Sequence, residues 1–137
     1  MLCNKIREVD ITEVLSLLPG VDFVDTGGTN GWIASPEWLM PFVDSLSVGK
    51  ISSAVCRLLP PFQGIPAHID SGNNSFNVGR RFHVPLVTHP DVTMVWPNEG
   101  ITEHLEAGYL YEVDHRTLHE VVNRAPTRRV HIQFNVV

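Results

Sequence analysis

A chain of 137 residues with ten Lys and Arg against fifteen Asp and Glu, net charge −5, suffices for one hydrophobic core and is too short for a catalytic domain plus a separate substrate domain. An isoelectric point near 5.7 argues against a surface built to neutralise phosphates, and so against nucleic-acid partners. Cys3 and Cys56 stand in no metal-ligand spacing and read as free thiols of a reducing compartment. With no basic segment leading into an apolar run and no bilayer-length apolar stretch, a cytoplasmic protein without membrane contact is expected.

The chain reads as one domain over 1–137, with an N-terminal helical or flanking region at 1–50 and a β-rich core at 51–137. Asp10-Ile11-Thr12-Glu13 has the pattern of a capped helix start, and Val14, Leu15, Leu17 and Leu18 give an apolar stripe that ends at Pro19-Gly20. A second helical piece is predicted from Ser35, with Pro36 at its first position, through Trp38, Leu39 and Phe42 toward Leu46; Pro41 is expected to bend or interrupt it. From Ile51 the texture becomes short runs separated by Pro, Gly, Asn and Asp, which predicts strands near 51–59, 65–70, 80–88, 92–96, 108–113, 119–122 and 129–136. The last strand places Val130, Ile132, Phe134 and Val136 on one face and Arg129, His131, Gln133 and Asn135 on the other. One apolar and one polar face fit a mainly β jelly roll, or double-stranded β-helix, with a wet interior.

His68-Ile69-Asp70 and the distant His119 supply two imidazoles and a carboxylate. At i and i+2 on an extended strand the first two side chains share a face, and three such ligands on one side of an ion suit Fe(II) while leaving positions open for chemistry. A bare His-x-Asp is equally well a surface pair. The polar loop over 71–79 directly after the motif is where function concentrates, and Arg129 follows His119 by ten residues. In a jelly roll the strand of the second histidine is expected in the same sheet as the strand of the arginine, whose guanidinium then reaches inward to hold the distal carboxylate of 2-oxoglutarate. Arg128 is the rival, but it has the parity of Val130 and Ile132. Arg81 and His83 alternate onto one strand face, which by itself also describes a solvated edge.

Leu58-Leu59-Pro60, His68-Ile69-Asp70, Arg81-Phe82-His83-Val84-Pro85-Leu86, Glu106-Ala107-Gly108, Asp114, His119-Glu120-Val121 and Arg129 together resemble the aspartyl/asparaginyl β-hydroxylase family over residues 51–137. The resemblance implies a cupin-like jelly roll, an iron- and 2-oxoglutarate-dependent dioxygenase, metal at His68, Asp70 and His119, and 2-oxoglutarate at Arg129 with Arg81 and His83 contributing to carboxylate binding. It implies hydroxylation of an unactivated C–H bond in an amino acid, a peptide side chain or another small polar substrate, consuming dioxygen and releasing succinate and CO2. Animal members have a glycine where this chain has Asp70, so the triad here is complete and leaves no vacancy for halide. A family serine eleven residues before the first histidine appears as Arg57. Two other readings stay open: a cupin-type metal enzyme without 2-oxoglutarate, which needs no Arg129, and a non-catalytic jelly-roll binding module, which needs no triad. His115 is placed in a turn, His89 and His104 in surface loops, His131 on the lumen or surface, and Trp32, Trp38 and Trp96 in packing roles.

Overall fold

The computed structural model describes residues 2–27, 31–70, 72, 74 and 77–137. In chain order the elements are β1 (Cys3–Glu8), α1 (Thr12–Leu17) with a 3-10 turn at Leu18–Gly20, β2 (Val24–Asp25), β3 (Trp32–Ala34), α2 (Leu39–Ser45), β4 (Ile51–Leu59), β5 (Gly64–His68), β6 (Arg80–Val87), β7 (Val92–Trp96), β8 (Ile101–Glu103), β9 (Tyr109–Val113), β10 (His119–Asn123) and β11 (Arg129–Val136). They form a seven-stranded sheet in the order β1-β9-β6-β11-β4-β3-β2 and a four-stranded sheet in the order β5-β10-β7-β8. From β4 onward the chain passes repeatedly from one sheet to the other, which is how a double-stranded β-helix winds.

Alternation along the central strands of the large sheet produces two different faces. Phe82, Val84, Leu86, Val130, Ile132, Phe134 and Val136 point outward and bury themselves against Val14, Leu18, Leu39, Val43 and Leu46 of the N-terminal helices. The opposite face carries Leu59, Tyr111 and Val113, which meet Ile65, Met94, Trp96 and Val121 of the small sheet. Arg81, His83, Arg129, His131 and Asn135 share that inner face, and all are buried. The space between the sheets is thus apolar on one part and polar on another.

Several sequence expectations shift. Residues 1–50 supply three strands as well as helices: β1 pairs with β9, and β3 joins β2 to β4. β1 escapes pattern reading because only Cys3 in it is buried, as befits an edge strand. α2 starts at Leu39, later than expected from Pro36, and Pro41 is its third residue. A proline there lacks an N–H that has no intrahelical partner in any case, so it neither kinks nor breaks the helix. At α1 the expected side-chain cap is absent: Ile11 is the N-cap, and Asp10, one residue earlier, accepts the Thr12 N–H at 3.0 Å in a local turn that leads into the helix. No described helix is long and apolar enough to cross a membrane.

Candidate metal centre and active site

β5 and β10 are antiparallel neighbours, and His68 lies directly opposite His119 in their register. Their rings are 4.5 Å apart, centroid to centroid. β5 ends at His68, so Asp70 is not on an extended strand as expected. Its backbone N–H instead donates to the His115 carbonyl at 2.9 Å, and the turn returns the carboxylate to the histidines. The ligand atoms of His68, Asp70 and His119 all lie within 4.8 Å of one another. His68 Nε2 is 3.3 Å from Asp70 Oδ1, and His119 Nε2 is 3.7 Å from Asp70 Oδ2.

Each histidine is held from behind. His68 Nδ1 hydrogen-bonds the Pro66 carbonyl and His119 Nδ1 the Thr117 carbonyl, both at 2.8 Å. A carbonyl only accepts, so Nδ1 carries a proton in each ring and Nε2 is the atom that faces the cluster, as a metal ligand requires; without a metal, His68 Nε2 also carries a proton toward Asp70 Oδ1. Burial opposes the charge on Asp70, but the His68 hydrogen bond and the Arg81 charge outweigh it and hold the carboxyl well below its usual range. Burial keeps His119 neutral, while the Asp70 hydrogen bond raises His68. With the His68 proton released on binding, two imidazole nitrogens and a carboxylate, with open space beside them, fit a divalent first-row ion bound on one side only.

Asp70 is positioned from the opposite sheet. Arg81 Nη1 donates to Asp70 Oδ2 at 2.5 Å, Arg81 Nε donates to Asn135 Oδ1 at 3.1 Å, and Asn135 Nδ2 donates to the Val78 carbonyl at 2.8 Å. Arg81 therefore orients a metal ligand, a task that strand parity did not reveal. Behind His119 stands Trp96, fully buried, its ring 6.3 Å away and its Nε1–H donating to the Asp114 carbonyl. Asp114 in turn accepts N–H bonds from Arg116 and Thr117 at 2.9 and 3.1 Å, shaping the turn that leads into β10.

A cavity of about 320 Å³ opens on the triad and reaches Arg57, Arg81, His83 and Arg129. Arg129 stands in the large sheet and His119 in the small one. The expectation that one sheet carries both is corrected: the five-residue connection from β10 to β11 crosses between sheets, so arginine and metal ligands face each other across the interior. As parity predicts, Arg129 faces the cavity and Arg128 does not. The β11–β4 register runs unbroken from Arg129 to Asn135, and the irregularity near Val130 falls in the pairing with β6, where it leaves the alternation of β11 intact. Arg129 is 1 % exposed, and its Nε has no hydrogen-bond partner among the described residues. Burial and the neighbouring Arg57 charge push its pKa down to about 9, so it remains a cation at neutral pH. A buried cation in this condition is costly unless an anion joins it.

His83 also lines the cavity, its Nδ1 3.0 Å from His131 Nδ1. His115 lines it too, with Nε2 2.8 Å from the Asn77 carbonyl. Its segment is the expected turn, and that turn faces inward. Gln133, a further lining residue, was signalled only by its parity with Arg129. Of the polar loop over 71–79, residues 71, 73, 75 and 76 lie outside the described residues; Asn74 and Asn77 reach the cavity. His104 is half-buried against the Val92 carbonyl, and Arg128 is exposed.

Two interleaved antiparallel sheets surround a two-histidine, one-carboxylate cluster in a jelly roll, and the family matched by the sequence makes this an enzyme of the 2-oxoglutarate-dependent hydroxylase class. The chain belongs to the aspartyl/asparaginyl β-hydroxylase family, whose sequence model matches residues 39–137. In fold it is similar to a prolyl-4-hydroxylase from Pseudomonas putida, with a TM-score of 0.64 and 15% identity over 99% of this chain and 93% of that one. A cupin domain from Bordetella pertussis Tohama I matches at 24% identity over 61% of this chain and 79% of that one, with a TM-score of 0.48. No curated protein matches the chain.

Proposed function

We propose that the protein binds Fe(II) through His68, Asp70 and His119 and 2-oxoglutarate through Arg129, and hydroxylates an unactivated C–H bond of an amino acid, a peptide side chain or another small polar molecule. The observation that carries this reading is Arg129, a buried cation with an unpartnered Nε in the same cavity as the triad. Three arginines and one carboxylate among the lining residues make that cavity cationic, although the protein as a whole is acidic. A small dicarboxylate supplies the missing negative charge. Iron and 2-oxoglutarate, once bound, turn dioxygen into an oxidant that hydroxylates the substrate as 2-oxoglutarate becomes succinate and CO2.

The protein's own part is to hold and orient. The Pro66 and Thr117 carbonyls fix the imidazole tautomers, and Arg81 fixes the carboxylate. Arg129 would hold a carboxylate of 2-oxoglutarate through a two-pronged bond, and Arg81 and His83 would contribute to carboxylate binding. Ile65, Met94, Val113 and Val121 line the remaining wall and limit water. The 137 residues act as one domain, with 51–137 as the catalytic core and 1–50 flanking it. Two buried free cysteines suit a reducing, cytoplasmic setting.

Anaerobic titration with Fe(II) and then 2-oxoglutarate tests the proposal. The expected result is a weak visible absorption band that saturates with one equivalent of each. No band in the intact protein overturns the reading. Screening amino acids and peptides for stimulated succinate release then addresses the substrate.

A further inference from the structure

His131 contributes nothing to the cavity lining, yet it is 2 % exposed on the strand that carries Arg129, and its Nε2 has no hydrogen-bond partner among the described residues. On β4 its direct neighbour is Arg57. On β6, His83 lies opposite Gln133, which makes it the diagonal neighbour of His131 on the same inner face. The two rings meet edge to face, at 89° and 5.3 Å between centroids. Their Nδ1 atoms are 3.0 Å apart, a hydrogen bond that requires one ring to donate and the other to accept.

Both rings are neutral. Burial disfavours a proton on either, and Arg129 bears next most strongly on each, with Arg57 and Arg81 also facing His83. Two neutral arrangements remain. If His83 donates, His131 carries its proton on Nε2 and buries an orphaned N–H. If His131 donates, its Nε2 is a bare lone pair. Buried N–H groups without partners are the rarer and costlier of the two, so the second arrangement is favoured. His83 then has its proton on Nε2, on the ring edge opposite His131. Because His83 lines the cavity and His131 does not, that N–H is available to the cavity.

We infer that His131 is a positioning residue that donates Nδ1–H to His83 and so fixes His83 as a neutral Nε2–H donor toward a carboxylate in the cavity. The ligand half of this inference rests on the 2-oxoglutarate reading; the tautomer half does not. A neutral donor has a purpose beside three guanidiniums. It adds a directed hydrogen bond to an anion without adding another like charge that must be buried when the cavity is empty.

Long-range proton–nitrogen correlation of the histidine rings in 15N-labelled, metal-free and cosubstrate-free protein tests the tautomers. The expected pattern is His131 protonated at Nδ1 and His83 at Nε2; the reverse pattern overturns the inference. His131→Asn keeps an amide N–H near the position of Nδ1 and is expected to hold the His83 tautomer and keep the dissociation constant for 2-oxoglutarate within about threefold. His131→Phe removes the donor and is expected to weaken 2-oxoglutarate binding about tenfold, as losing one hydrogen bond to a charged group does, with Fe(II) affinity unchanged. Equal 2-oxoglutarate affinity in all three proteins overturns the positioning role. If wild-type protein binds no 2-oxoglutarate, the cofactor reading and the ligand half fall together, while the tautomer spectrum still decides the histidine pair.

Discussion

Asp70 serves two partners, and substitutions separate them. It faces both histidines, and it also neutralises Arg81, which is only 5 % exposed. Asp70→Ala leaves a buried guanidinium without its carboxylate, for which we expect a loss of about 1–3 kcal/mol in urea unfolding of metal-free protein. Asp70→Asn keeps an acceptor toward Arg81 and is expected to recover most of that stability while Fe(II) affinity stays low, so equal stability in the two variants argues against the Arg81 role. Arg129 presents the opposite case, a charge the fold tolerates without reward. Arg129→Met is expected to raise the stability of ligand-free protein by about 1 kcal/mol, and to weaken 2-oxoglutarate binding by about two orders of magnitude, the loss of a charged two-pronged bond. Fe(II) binding, measured separately, is expected to persist in it.

Among the elements, the connection from β10 to β11 does most to assemble the site, because it carries the chain from the sheet of His119 to that of Arg129. Asn123, 1 % exposed, closes it. Its Nδ2 donates to the Pro60 and Thr127 carbonyls at 3.0 Å each, and its Oδ1 accepts the Ala125 N–H at 2.9 Å. Asn123→Ala strands these buried groups and is expected to cost about 2–3 kcal/mol by chemical denaturation. A loss under 0.5 kcal/mol means the crossover is held by other contacts. The sequence shows the alternating strand β11 plainly, because period-two patterning is local, whereas it joins His119 to His68 and Asp70 only through the family resemblance, because their meeting depends on the β5–β10 pairing. It hides the sheet assignment of β10 and the strand character of β1, because both depend on partners distant in the chain. The pairing of Arg81 with Asp70 is hidden for the same reason: parity tells which face a side chain occupies and leaves open what it meets there.

For the molecule as a whole, the buried histidines set the response to pH. Burial depresses His83, His115, His119 and His131 in the folded state, and only His68 is raised, chiefly by its hydrogen bond to Asp70. A group whose folded pKa is depressed below its unfolded value of about 6.5 takes up its proton more readily on unfolding, so stability falls as pH drops below that value. His68 acts in the opposite direction but is outnumbered. We expect the metal-free protein to lose stability steadily from pH 7.5 to 5.5 in unfolding experiments, and His131→Asn to show a shallower slope, since one titrating group is gone. An unchanged slope places His131 outside this balance. Below about pH 4 the lowered Asp70, Glu112 and Asp114 carboxylates add their own loss.

The placement of His68 and His119 on one sheet and Arg129 on the other also bears on how such a protein changes over time. Substitutions on β4 and β11 can alter the cationic wall without touching the strands that present both imidazoles, and the converse holds for β5 and β10, whereas β6 reaches Asp70 through Arg81. The two imidazoles and Arg129 thus stand on separate walls that can vary separately, while the Arg81–Asp70 pair ties one wall to the other.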